Sequence, residues 1–171
     1  MIALAPPDWA LTLAYWLHML ATVAWIGGLV TLSILVLPAA RQTLDAHAYA
    51  ELLARLRRRL DPLGWLSLLV LAGTGLFQMS ASPNYQGFLA FSNRWAVAIL
   101  VKHIVFLGII AISAYLTWGL IPRLGRAALL LARGQAAASL PDLQRQETLL
   151  MRVNLVLGIL VLALTAIARV S

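Results

Sequence analysis

The sequence predicts an all-α fold: an integral membrane four-helix bundle of up-down topology, with both termini on the outer, periplasmic side. Three observations predict it. Hydrophobic residues make up 62% of the 171-residue chain and charged residues only 11%, where soluble domains run at roughly a quarter charged. Four apolar stretches each reach the ~20 residues that a helix needs to cross a bilayer core. The arginines are concentrated in alternate connections, which sets an orientation.

The first span covers residues 9–37, between Pro7 and Pro38. No basic leader precedes it, and it is longer than the apolar core of a signal peptide, so it is expected to be retained. The second covers 62–81, where Asp61-Pro62 predicts an N-cap followed by a proline in the first helical position. "SASPNYQG" then reads as a turn-rich loop. The third span covers 95–121 and is closed by Pro122. The fourth covers 149–170, and "SLPD" at residues 139–142 predicts a capping-box-like helix start before its membrane part. Residues 1–171 are therefore expected to form a single four-span membrane domain.

The first connection carries Arg41, Arg55, Arg57, Arg58 and Arg59, and the third carries Arg123, Arg126, Arg133 and Arg145. The second holds only Arg94. The first and third connections are thus expected to face the cytoplasm, in a multi-pass protein of the cell inner membrane. The net charge of +7 points to anionic headgroups as the partner. Nucleic acid is excluded as a partner because no soluble domain remains to bind it. Leu44, Leu52, Leu53, Leu56 and Leu60 recur near helical spacing between the arginines. Two readings of this stretch stand side by side: a helix lying on the membrane surface, and a helical extension of the bundle. The chain has no cysteine, which excludes disulfides, thiolate metal sites and iron–sulfur clusters. All six acidic residues lie outside the apolar stretches, so hydrolase chemistry with a buried carboxylate base is not expected.

Three ionisable residues lie inside spans: His18, Lys102 and His103. Such groups cost roughly 2.5–3.5 kcal/mol on insertion scales and mark functional sites by default. Counted inward from Trp9, His18 lies roughly 13 Å deep, and counted from Trp95, Lys102 and His103 lie about 11–12 Å deep, at 1.5 Å per residue. All three share one plane. At that height the second span presents "AGTG", and the first places Ala14, Ala21, Thr22 and Trp25 on the face of His18. Spans 1 and 3 sit diagonally in an up-down bundle. The sequence therefore predicts His18 and His103 as axial ligands of a b-type haem, with Arg94 and Trp95 at the rim for its propionates and Trp25 beside it. Lys102 and His103 point about 100° apart, and which of them faces the site stays open. The function expected from this plane is electron transfer or haem-linked redox chemistry with a partner protein or quinone. Copper is the alternative, although soft-ligand copper sites favour thiolate and thioether and the chain offers four methionines and no cysteine. A third reading is a non-catalytic accessory subunit, in a homo-oligomer or a larger complex.

"LHMLATVAWIGGLVTLSILVLPAAR", "RRRLDPLGWLSLLVLAGTGLF" and "WAVAILVKHIVFLGIIAISAYLTWGLIPRL" resemble the copper resistance protein D (CopD) domain, in which an early histidine precedes W-x-G-G and the third helix carries a tryptophan, a lysine and a closing proline. The resemblance implies copper binding or transport across the membrane. A weaker similarity links the chain to HemJ-type protoporphyrinogen oxidases, whose important first-helix histidine and third-helix lysine fall on His18 and Lys102. The chain departs from that pattern at "WIGG", at Ala39 after Pro38 and at Leu116 after Tyr115.

Overall fold

A computed structural model describes residues 6–85, 87, 93–135 and 139–170. Gln86 of the second connection lies outside the described residues. Every described element is helical: α1 (Asp8–Val30), α2 (Leu37–Thr43), α3 (Ala46–Ser80), α4 (Arg94–Ala114), α5 (Ile121–Ala132) and α6 (Leu140–Arg169). Six-residue π-helical turns, Thr31–Val36 and Tyr115–Leu120, join α1 to α2 and α4 to α5 without a break. The result is four long rods, each long and apolar enough to cross a membrane.

The prolines act differently from the sequence expectation. In the sequence Pro38 and Pro122 read as helix ends, yet each sits at the second position of a helix that continues, α2 and α5. A helical proline lacks the N–H and crowds the carbonyl four residues earlier. In both rods the wider π turn lies immediately before the proline. Leu37 N–H reaches back five residues to the Leu32 carbonyl, and Ile121 N–H to Leu116. The wider turn absorbs the misfit that would otherwise stop the helix. Pro62 lies inside α3, so the expected helix start at Asp61-Pro62 is corrected as well. The N-cap is Asp45, whose carboxylate accepts from Ala48 N–H at 2.8 Å. The amphipathic stretch is therefore the first half of α3, the bundle-extension reading. At "SLPD", Ser139 precedes the helix but its side chain makes no capping bond.

Packing pairs α1 with α3 and α4 with α6, while α5 lies against α3. Small residues allow the close approach: Ala14 and Ala21 are buried on α1, and Gly75 of α3 meets the His18 ring. Lipid tails are as apolar as leucine, so close packing and interhelical polar contacts hold such rods together. The core runs in three layers. Leu37, Leu120, Leu124 and Met151 centre the Arg-rich end, Trp25, Leu68 and Ile109 the middle, and Met79, Trp95 and Ala96 the far end. Ile104, Leu107, Leu69, Val156 and Ile159 point outward, the surface that a bilayer covers.

Candidate functional site

Thr74 and Gly75 of α3 meet His18 at the far end. His18 Nδ1 lies 2.8 Å from Thr74 Oγ. The same hydroxyl is 2.5 Å from the Val70 carbonyl four residues back. A carbonyl only accepts and a threonine hydroxyl has one proton. That proton goes to Val70, so Thr74 Oγ accepts from His18 Nδ1–H. The neutral imidazole then carries its lone pair on Nε2, the arrangement by which a second partner orients a metal-binding histidine. Gln78, one turn along α3, donates to the Ala14 carbonyl at 3.2 Å and ties α3 to α1 beside the ring.

Lys102 of α4 and His18 of α1 are both half-buried. His103 turns to its own helix, with Nδ1 2.7 Å from the Ile99 carbonyl. Trp25 packs with Leu68 and Ile109 in the middle layer, its ring against Gly158. Trp95 packs against Met79 and Ala96. Arg94 is exposed at the first residue of α4, behind the Asn93 cap that accepts from Ala96 N–H.

This geometry does not support the haem expectation. A macrocycle needs a slot between its two ligands, and ligand pockets run at about 300–1,000 Å³. A hollow of ≈ 190 Å³ beside Trp9, Leu17, Gly73 and Thr74 lies near this plane and is lined by neither histidine. Trp95, expected at the rim, is committed to packing with Met79. Among the described residues no group of three His, Asp or Glu side chains is placed to hold a metal ion. What remains for metal chemistry is single imidazole donors, with His18 the one whose outer nitrogen is set by a neighbouring helix.

The structure adds a polar centre that sequence reasoning missed. Glu147 of α6 is fully buried; Arg41 donates to it at 3.1 Å and Arg57 at 2.6 Å. Arg41 also donates to Tyr49 Oη, Thr148 Oγ and the Gln144 carbonyl. Glu147 lies outside the apolar stretches, as the sequence indicated, yet it is the most enclosed carboxylate described. The only available signal was the excess of arginine in two connections that meet at the same end.

Four helices long and apolar enough to cross a membrane define a multi-pass membrane protein. The chain belongs to the copper resistance protein D (CopD) family, whose model matches residues 54–168. The match begins inside α3 and leaves α1, with His18, outside it. It gives no support to the weaker likeness to HemJ-type oxidases. No curated protein and no solved structure matches the chain.

Proposed function

We propose that the protein handles copper in the inner membrane, with both termini outside and copper as cargo rather than resident cofactor. The observation that carries this reading is the family match over residues 54–168. The geometry suggests where the ion is met: at His18 Nε2, the lone pair left by the Nδ1–H bond to Thr74. Imidazole is a common copper ligand. A single imidazole, with no ligand cluster among the described residues, suits brief occupancy and release better than storage. The arginines of the first and third connections support the cytoplasmic assignment of that end.

The test is metal analysis and absorption spectroscopy on protein purified in detergent, with Cu(I) binding measured by competition with a chromogenic chelator. Wild-type protein is expected to bind copper, and His18→Ala to lose at least tenfold in affinity while keeping its helical circular dichroism. A Soret band lost in the same variant, with no copper bound, overturns the reading.

A further inference from the structure

At the Arg-rich end a groove of ≈ 270 Å³ opens between α3, α5 and the start of α6. Its walls are mostly apolar, with Leu53, Leu124 and Ala128 among them, and its charged lining consists of Arg41 and Arg57. The carboxylates that balance these arginines stand elsewhere: neither Glu147 nor Asp61, whose Oδ1 is 3.8 Å from Arg57 Nη1, lines the groove. Arg41 is engaged by four acceptors. Arg57 is not saturated. Its Nε is buried and has no acceptor among the described residues, although the side chain is only 11% exposed. A buried guanidinium N–H without an acceptor is costly, and Arg57 is one of the residues that line the groove.

We propose that this groove holds an anionic phospholipid, its headgroup phosphate on Arg57 and Arg41 and the start of an acyl chain along Leu53, Leu124 and Ala128. Three features select that occupant. Guanidinium groups match phosphate oxygens in charge and geometry. The apolar wall suits a chain that a soluble anion lacks. The groove also lies at one end of membrane-crossing rods, flanked by the exposed Arg58, Arg123 and Arg126, the setting in which basic interhelical pockets take acidic lipid headgroups. The volume suits a headgroup and the first methylenes, with the remaining lipid in the bilayer. The proposal is independent of the copper reading.

Gly125 supplies a clean test. It lines the groove, and a Cβ added there meets nothing within 4 Å, so Gly125→Leu adds bulk at the groove wall and leaves Arg41, Arg57 and Glu147 unchanged. Delipidated protein in detergent is melted alone and with phosphatidylglycerol, phosphatidylcholine or inorganic phosphate. Phosphatidylglycerol is expected to raise the Tm of the wild type well above the rise given by phosphatidylcholine, and phosphate to leave it unmoved. Gly125→Leu is expected to lose that difference while melting, without lipid, at or above the wild-type temperature. Native mass spectrometry of the wild type should retain one phosphatidylglycerol in preference to phosphatidylcholine, a reading that does not need the variant to fold. Equal shifts from both lipids, a shift from phosphate alone, an undiminished difference in Gly125→Leu, or no retained acidic lipid each overturn the proposal.

Discussion

At the Arg-rich end, Glu147 accepts from Arg41 and Arg57, and Arg41 goes on to Tyr49, Thr148 and Gln144. At the opposite end, His18 engages one side chain, Thr74. The first arrangement ties α2, α3 and α6 together and turns its carboxylate entirely inward. The second fixes one ring nitrogen and leaves the other with a lone pair. Both polar layers lie at helix interfaces, but they suit different tasks. A carboxylate with both oxygens engaged by its own chain has little left for a ligand, so it contributes to which fold forms. An imidazole oriented from one side keeps the capacity to bind.

The strongest way to break this contrast is to remove the buried carboxylate. Glu147→Ala leaves two guanidinium groups facing an empty, enclosed position. Removing one partner of a buried ion pair costs about 3–5 kcal/mol, mainly because the remaining charge is uncompensated. The variant is expected to lose most of its thermal stability in detergent, read as the fall in Tm and in the yield of monodisperse protein. Retention of wild-type stability would show that water reaches the centre and that its burial is not decisive.

The next test sharpens the other end. Thr74→Val keeps the shape of the side chain and removes the acceptor that holds His18 Nδ1–H. Loss of such an orienting partner costs metal affinity roughly 10–100-fold. Interhelical hydrogen bonds in membranes average only about 0.6 kcal/mol in stability. The expected result is therefore a large fall in copper affinity with a small change in Tm, the reverse of Glu147→Ala. If copper affinity is unchanged, Nε2 is not the donor and the site lies elsewhere.

The two ends also differ in how legible they were. The four spans follow from hydropathy because the bilayer imposes length and apolarity on each segment separately. The meeting of His18 with Thr74 and Gly75 followed from counting helical rise, although "AGTG" alone gave no reason to single out the threonine hydroxyl. Glu147 was hidden because its partners are Arg41 and Arg57, remote in sequence and brought together only by the packing of α2, α3 and α6. Pro38, Pro62 and Pro122 misled for a local reason. Proline reads as a stop, and nothing in the residue pattern announces that a π turn precedes two of them or that α3 runs through the third. For His103, depth fixes the height of the side chain but not the direction it takes, and its Nδ1 meets the Ile99 carbonyl of its own helix.

The smallest expected effect separates burial from charge at a single end. Glu51 and Arg55 form an ion pair one turn apart on α3, with an N···O distance of 2.5 Å. That contact is shorter than either contact to Glu147, so a ranking by distance would make it the strongest of the three. The physics ranks it last. Its side chains are 52% and 77% exposed, water competes for both charges, and exposed pairs at this helical spacing contribute about 0.3–0.5 kcal/mol. Glu51→Ala is expected to move Tm barely beyond error in low salt and not at all in high salt, where screening removes what remains. Measured beside Glu147→Ala, it removes the same chemical group from the same end of the bundle, and only the enclosure differs. A loss comparable to that of Glu147→Ala would mean that the number of carboxylates among the arginines, and not the depth of one of them, holds this end together.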